Sequence, residues 1–163
     1  MDSFNKNYVE LEIQLTNYLT EKKLRKTEER YVILKQICSF NSYFDICMLH
    51  QKLKDINFHV SKATLYNTLE LFIDIGFLIM HQFTKKAAHY ELKILTETHS
   101  HLICSVCGTV REIRDTTLKK NVCNLKIAKF TPAFSTMYIH GMCSKCKYRL
   151  QRERKNNINK EKI

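Results

Sequence analysis

Two Cys-x-x-Cys pairs carry the strongest chemical signal in the sequence, Cys104 with Cys107 and Cys143 with Cys146. Two residues between the thiols let both sulfurs of a pair reach one ion, and two pairs complete a tetrahedral thiolate shell. Such a site has no open position for a substrate, so its role is structural. The alternatives are a redox-active pair or unpaired thiols, but two pairs in one chain favour a structural Zn²⁺ ion.

The other three cysteines, Cys38, Cys47 and Cys123, are single and scattered, and we expect each to be a small buried hydrophobe. Seven cysteines cannot all pair within one chain, which favours metal binding over disulfides. The sequence shows no apolar run approaching about 18 residues and no secretory h-region. These features predict a cytoplasmic protein without a membrane partner.

A histidine pair beside the first cysteine pair predicts a second metal site. His99 and His101 are two apart on a predicted strand and share one face, whereas Cys104 turns to the opposite face. A hairpin closing at residues 105–106 would place His99 opposite Glu112, close enough for shared coordination. The alternative is a pair of solvated surface histidines opposite a carboxylate.

Glu91, at the end of a predicted hairpin, could add another oxygen ligand to this second site. A mixed nitrogen and oxygen site suits Fe²⁺, Mn²⁺ or Zn²⁺ better than a soft thiolate metal. We therefore predict a second metal site formed by His99, His101 and Glu112, to which Glu91 could contribute.

The elements that position these residues fall into two patterns. Residues 1–93 show helical periodicity in four segments, with Thr27, Asp45 and Ser61 as expected N-caps, followed by a hairpin. This order predicts a winged helix-turn-helix domain. Residues 94–150 alternate short strands around the cysteine pairs with a helix at 116–125, so the fold class is α+β with a C-terminal α/β domain. Residues 151–163 are charged and predict a disordered tail.

The fourth helix is the expected DNA-reading element, because base contacts come mainly from the first turns of a recognition helix. There, Lys62 and Thr64 suit phosphate, Tyr66 suits a thymine methyl group or the backbone, and Asn67 can read adenine. Further phosphate contacts are expected from Arg25, Lys85 and Lys86. A net charge of +11 and a pI near 9.4 favour a polyanionic partner. The alternative is an ordinary exposed helix face.

Three segments together resemble the ferric uptake regulator family of bacterial metalloregulators. Residues 25–30 are similar to the family's R-x-T-x-x-R helix start, and residues 60–69 with 76–78 are similar to its recognition helix and wing entry. Residues 99–108 with 138–146 resemble its histidine and cysteine segments. The resemblance extends over roughly residues 8–148.

The resemblance implies a homodimer that binds double-stranded DNA at a palindromic operator and represses when its sensory metal is present. It implies that residues 94–150 form the dimerisation domain and that Glu91, His99, His101 and Glu112 form an interdomain sensory site. It implies no enzyme activity and no small organic substrate.

The sequence departs from the family at two sites. Tyr43 stands where members with the full sensory site have a histidine, and His50 or His59 are the candidates to replace it. A further family metal site would require ligands at four positions that hold Thr98, Ser100, Lys119 and Ser135, so we expect that site to be missing.

Four functions are compatible with these residues to different degrees. The leading hypothesis is a metal-dependent repressor of metal-homeostasis or oxidative-stress genes, and the nearest alternative is a peroxide-sensing member of the same family. A zinc-stabilised DNA-binding protein that has lost sensing is a second class. A zinc hydrolase is a third, and the sequence lacks the H-E-x-x-H spacing it would need.

Overall fold

Residues 1–75 contain neither glycine nor proline, and four helices occupy most of this segment. In a computed structural model these helices are α1 (Asp2–Glu21), α2 (Glu28–Cys38), α3 (Ile46–Asp55) and α4 (Lys62–Ile75). The structure describes residues 2–83, 88–96, 99–115, 117, 128–130 and 135–160. None of the helices within these ranges is long and apolar enough to cross a membrane.

Local capping chemistry sets where α3 and α4 begin and where α4 ends. Asp45 Oδ1 accepts the Met48 N–H at 2.8 Å, and Ser61 Oγ accepts the Thr64 N–H at 3.0 Å, so both predicted caps are confirmed. Gly76 ends α4 in the left-handed region at φ 88°, which only glycine adopts without strain.

Thr27 occupies the N-cap position of α2, but its side chain makes no capping hydrogen bond. Hydrogen bonds from the Glu29 backbone N–H and the Thr27 hydroxyl instead lower the pKa of the Glu29 carboxyl. An ionised acid in the first turn suits the positive end of the helix dipole.

One apolar core holds the four helices together. Its fully buried leucines, isoleucines and phenylalanine repeat at helical spacing, which is the pattern of an amphipathic helix facing a core. They are Leu15 and Leu19 of α1, Ile33, Leu34 and Ile37 of α2, Leu49 and Leu53 of α3, and Leu65, Leu69 and Phe72 of α4.

A two-stranded wing follows α4. Strands β1 (Leu78–His81) and β2 (His89–Leu92) pair antiparallel, with Ile79 opposite Glu91 and His81 opposite His89. The backbones of Phe44 and Tyr90 exchange two hydrogen bonds of 2.8 and 2.7 Å, which attaches the segment before α3 to β2. Four helices followed by this hairpin give the winged helix-turn-helix arrangement that the sequence predicts.

A second unit contains a three-stranded sheet in the order β4-β3-β5. Its strands are β3 (Ser100–Cys104), β4 (Val110–Ile113) and β5 (Tyr138–Gly141); β4 is antiparallel to β3, and β5 is parallel to it. The predicted helix at 116–125 lies outside the described residues except for Thr117.

The predicted register of the β3–β4 hairpin is wrong by two residues. Glu112 lies opposite His101 rather than His99, and the Cys104 N–H donates to the Thr109 carbonyl at 2.9 Å. The turn therefore spans four residues, 105–108, and closes with Gly108 at φ 73°.

The last helix corrects the prediction of a disordered tail. Helix α6 (Ser144–Lys160) runs without a break from the second cysteine pair through residue 160. Two physical features account for it. Cys146 is buried in the first turn and anchors the helix, and the Lys, Arg, Gln and Glu residues that follow are good helix formers despite their charge.

The chain separates into two compact units, Met1–Thr96 and Glu97–Ile163. The predicted boundary, after residue 93, lies three residues before the observed one. A short helix, α5 (Lys93–Thr96), follows β2 directly, and the Lys93 N–H donates to the Phe77 carbonyl at 2.9 Å, which keeps α5 with the first unit.

Candidate metal centres and recognition helix

The four paired cysteines converge on one point in the second unit. Their sulfur atoms all lie within 4.8 Å of one another, and the Cys107 and Cys143 sulfurs are 3.8 Å apart. Four Zn–S bonds of about 2.3 Å arranged as a tetrahedron place the sulfurs about 3.8 Å apart. The residues therefore fit a structural Zn²⁺ ion.

Backbone pairing brings the two cysteine pairs together although 36 residues separate Cys107 from Cys143. Cys104 ends β3, and the parallel register places Gly141 of β5 beside it. The Cys143 N–H then donates to the Cys104 sulfur at 3.3 Å. Cys146 follows in the first turn of α6.

The surroundings of the cluster lower the pKa of one thiol and raise the pKa of another. Backbone N–H groups, the Cys143 N–H first among them, lower the pKa of Cys104 to about 6. Burial raises the pKa of Cys146 to about 12. Cys104 can therefore supply a thiolate at neutral pH, whereas Cys146 loses its proton when a cation stabilises the thiolate.

Three of the four predicted sensory ligands lie together in the second unit. The rings of His99 and His101 are 4.8 Å apart and nearly perpendicular, which confirms that they share a face of the strand. His101 is fully buried and His99 is 8% exposed. Glu112 Oε1 lies 3.9 Å from His99 Nε2, so the carboxylate reaches the imidazole diagonally across the two strands. Tyr138 of β5 covers the His101 ring at 5.9 Å.

The fourth predicted ligand, Glu91, is fully buried in the wing of the first unit and contacts a histidine that sequence reasoning missed. His81 Nε2 lies 3.1 Å from Glu91 Oε2, and the His81 ring stacks on Phe83 at 5.0 Å. In the observed register, His81 lies opposite His89 and Ile79 lies opposite Glu91, so His81 and Glu91 are diagonal neighbours on one face of the hairpin. A register shifted by one residue would place them on opposite faces, and the sequence does not indicate which register forms.

Helix α4 presents the residues expected to read DNA. Lys62, Tyr66 and Asn67 are exposed, and Thr64 is half-buried with its hydroxyl 2.9 Å from that of Ser61. The opposite side of the helix is buried in the core. Lys85 and Lys86 lie outside the described residues.

Arg25, the remaining predicted phosphate contact, is exposed before α2. The Arg30 guanidinium donates to the Arg25 backbone carbonyl, which holds the local backbone while leaving the Arg25 side chain exposed.

Comparison with known proteins places this arrangement in a family. The model of the ferric uptake regulator family matches residues 21–140. The chain belongs to this family. Members of the ferric uptake regulator family are DNA-binding, metal-binding transcription regulators rather than enzymes.

Individual relatives agree with this assignment. The ferric uptake regulation protein of Rhizobium leguminosarum is 33% identical over 100 residues, covering 61% of this chain and 70% of that protein. The peroxide-responsive repressor PerR of Staphylococcus epidermidis is 28% identical over 125 residues, covering 76% and 82%. The ferric uptake regulator of Pseudomonas aeruginosa with manganese superposes at a TM-score of 0.67 with 22% identity, covering 79% of this chain and 97% of that one. This superposition confirms the mixed α+β fold.

Tyr43, which departs from the ferric uptake regulator pattern, and the two histidines that could replace the family histidine differ in their surroundings. Tyr43 packs edge-on against Phe83 at 5.2 Å and against His89 at 5.4 Å. Of the candidate replacements for the family histidine, His50 is half-buried on α3 and His59 is exposed.

Two of the four positions of the further family site are described. Ser100 is half-buried on β3 and Ser135 is exposed, whereas Thr98 and Lys119 lie outside the described residues.

The single cysteines differ in burial. Cys38 is buried in the core as predicted, and its burial raises the pKa of the thiol to about 12. The prediction for Cys47 is wrong, because that thiol lies on the exposed side of α3, whose buried side consists of Leu49 and Leu53. Cys123 lies outside the described residues.

Proposed function

We propose that this member of the ferric uptake regulator family is a homodimeric, metal-dependent repressor that binds a palindromic DNA operator. The observation that carries the proposal is the buried pair His99 and His101 with the Glu112 carboxylate beside them. Imidazole nitrogens combined with carboxylate oxygens suit Fe²⁺, Mn²⁺ or Zn²⁺. A structural role alone would not require two adjacent imidazoles next to an acid on one sheet face.

We propose that His99, His101 and Glu112 hold a sensory ion and that Glu91 of the first unit is a fourth ligand, as the family resemblance implies. The ion would supply a positive charge that acidic and imidazole ligands of both units share. His81 would then fix the orientation of the Glu91 carboxylate through their 3.1 Å contact.

Regulation follows if the units adopt two arrangements, of which one allows both protomers to contact the operator at once. A ligand shifts the equilibrium between these two arrangements only by its difference in affinity for them. Glu91 is the residue on which this difference depends in our proposal, because it is the only proposed sensory ligand that belongs to the DNA-binding unit. In each protomer, α4 would enter the major groove, with Asn67 and Tyr66 at base edges and Lys62 and Arg25 at phosphates.

Peroxide sensing is the second candidate, and the similarity to a peroxide-responsive repressor favours it. In that case, peroxide would oxidise an Fe²⁺-bound imidazole of His99 or His101. Mass spectrometry of the Fe²⁺-loaded protein after peroxide treatment would show one added oxygen on one of these residues. The Mn²⁺-loaded protein is the matched control and should remain unmodified.

The operator can be identified by selection from random DNA sequences. The zinc-containing protein, loaded with Mn²⁺, would be used to select duplexes from a random-sequence pool. The proposal predicts enrichment of an inverted repeat, because a two-fold symmetric dimer reads two half-sites. Recovered duplexes without an inverted repeat would contradict the dimeric operator, and an absence of enrichment would contradict the regulator itself.

A further inference from the structure

Helix α6 carries a concentration of positive charge that neither the zinc site nor the proposed sensory site uses. Its basic segment, residues 145–155, has six cations and one acid, a net charge of +5 in a chain whose total is +11. The six cations are Lys145, Lys147, Arg149, Arg152, Arg154 and Lys155, and all six side chains are exposed.

The helix has little within the second unit to stabilise it beyond its first turn. From Lys147 to Lys155 every residue is exposed except Leu150, which is half-buried, and Tyr148 is 68% exposed. Among the described side chains of α6, one ion pair is present, between Arg149 and Glu153 at 4.0 Å, with both partners 59% exposed. A helix that is polar on all sides requires charge pairs or a partner outside it.

Like charges along the helix repel one another when no partner is present. Arg149 stands four residues after Lys145 and three before Arg152, which are the spacings at which helical side chains meet. Same-sign pairs at these spacings destabilise an isolated helix. A polyanion laid along the segment would remove this repulsion and stabilise the helix.

We infer that the basic segment of α6 is a second DNA-contacting element, which binds the phosphate backbone without reading sequence. From Lys145 to Lys155 the helix rises about 15 Å, so its cations are spaced at about one per 3 Å. Each strand of a DNA duplex carries one phosphate per about 3.4 Å of the axis. The charge of the segment therefore complements the polyanion closely in density as well as in sign.

The structure favours DNA over an anionic membrane as the partner. An interfacial helix needs an apolar face that inserts between lipids. Among residues 147–155 of α6, the apolar and aromatic side chains are Leu150 and Tyr148 alone, and cations lie on more than one side of the helix. The inference rests on the proposed function, because α4 would already hold the chain on a duplex and raise the local concentration of phosphate near α6.

The salt dependence of DNA binding tests the inference. A variant with Arg149→Gln, Arg152→Gln, Arg154→Gln and Lys155→Gln removes four charges and keeps good helix formers. A matched variant with Arg149→Lys, Arg152→Lys and Arg154→Lys keeps the charge. Anisotropy with a mixed-sequence duplex of roughly 30 base pairs would give the slope of log K against log salt between about 50 and 200 mM. The full chain is used, with zinc and Mn²⁺ bound.

Each phosphate contact contributes about 0.9 to the magnitude of that slope. We expect the glutamine variant to lower it by about 1.8 or more, because the substitutions remove at least one phosphate contact from each protomer of a dimer. The lysine variant should match the wild type. Helicity by circular dichroism and zinc content should be equal in all three proteins.

Equal slopes in the wild type and the glutamine variant would overturn the inference while leaving the proposed function intact. If the wild type fails to bind any duplex at low salt, the proposed function falls together with the inference. Phosphatidylglycerol vesicles provide the remaining comparison: if the substitutions weaken vesicle binding but leave the DNA slope unchanged, α6 is a membrane-binding helix and the inference is wrong.

Discussion

In the wing of the first unit, His81 Nε2 lies 3.1 Å from Glu91 Oε2, and both side chains are completely buried. Breaking this contact removes one partner of a buried carboxylate, which costs about 1 to 3 kcal/mol. We expect His81→Ala to lower the free energy of unfolding by about this amount, measured by urea denaturation of the full chain. His59→Ala, at an exposed histidine, should change it by less than about 0.5 kcal/mol. A His81→Ala protein as stable as the His59→Ala control would show that the buried contact contributes nothing.

The cysteine cluster predicts one zinc ion per chain and a clear difference between two cysteine substitutions. Cys143→Ser removes a ligand from the cluster, whereas Cys47→Ser alters an exposed thiol outside it. We expect Cys143→Ser to lose zinc and to lower the thermal midpoint by roughly 10 °C or more, because metal binding free energy is also folding free energy. Elemental analysis and thermal unfolding would measure both effects. Zinc retained at one per chain when Cys143→Ser is combined with His99→Ala and His101→Ala, which remove ligands of the proposed sensory site, would contradict the four-thiolate site.

Thiol reactivity should separate the two single cysteines of the first unit. The thiolate is the reactive form, and a pKa of about 12 leaves about one Cys38 thiol in ten thousand ionised at pH 8. Cys38 should gain reactivity only as the pH rises toward its pKa, and its burial protects it further. Iodoacetamide labelling of the zinc-bound protein, followed by peptide mass spectrometry, should therefore modify Cys47 and spare Cys38. Comparable labelling of both thiols in the native protein would mean that the core around Cys38 is open.

Asn67 is the residue on α4 with the side chain best suited to recognising a base. Its exposed amide can donate to and accept from adenine, and loss of such a pair costs about 1 to 3 kcal/mol of discrimination. We expect Asn67→Ala to weaken binding to the selected operator by about tenfold or more and to relax the preference at one base pair, with no loss of stability. Lys35→Ala, at an exposed residue of α2, is the control and should leave the base preference unchanged. If Asn67→Ala keeps the wild-type preference at every position, then α4 does not read bases through Asn67.

Features that depend on a few neighbouring residues could be predicted from the sequence. Asp45 and Ser61 cap their helices because a side-chain oxygen three residues before a free N–H is sufficient. The cysteine cluster could be predicted because the spacing within each pair brings its two sulfurs to one ion. The caps and the spacing within each cysteine pair are local signals, whereas the meeting of the two pairs depends on the pairing of β3 with β5.

Features that depend on strand register could not be predicted. The β3–β4 hairpin closes over four residues, and so Glu112 faces His101 while its carboxylate reaches His99. In the wing, the contact of His81 with Glu91 likewise depends on register, because the register with His81 opposite His89 puts both side chains on one face. Register depends on turn length, and the composition of a charged or cysteine-containing turn does not indicate how many residues it spans.

Composition alone also led to the wrong prediction for α6. The segment after Cys146 is charged and poor in apolar residues, which is the composition of a disordered tail. Helix formation there starts from a turn already fixed by the cysteine cluster, so the costly nucleation step is avoided. Propagation from that turn is then favoured by residues with good helix propensity, which this segment has.

The central claim is that His99 and His101 connect metal binding to DNA binding. Its most direct test is anisotropy on the selected operator with the zinc-containing protein, titrated anaerobically with Fe²⁺, Mn²⁺ and Zn²⁺. The wild type is compared with a His99→Ala, His101→Ala double variant and with Lys35→Ala, at an exposed residue of α2, after each is shown to hold one structural zinc. We predict that one metal tightens wild-type and Lys35→Ala binding at least about tenfold, worth roughly 1.4 kcal/mol, and that the double variant loses this response. Equal binding by the wild type and the double variant at every metal concentration would contradict the claim and leave a zinc-stabilised DNA-binding protein without metal sensing.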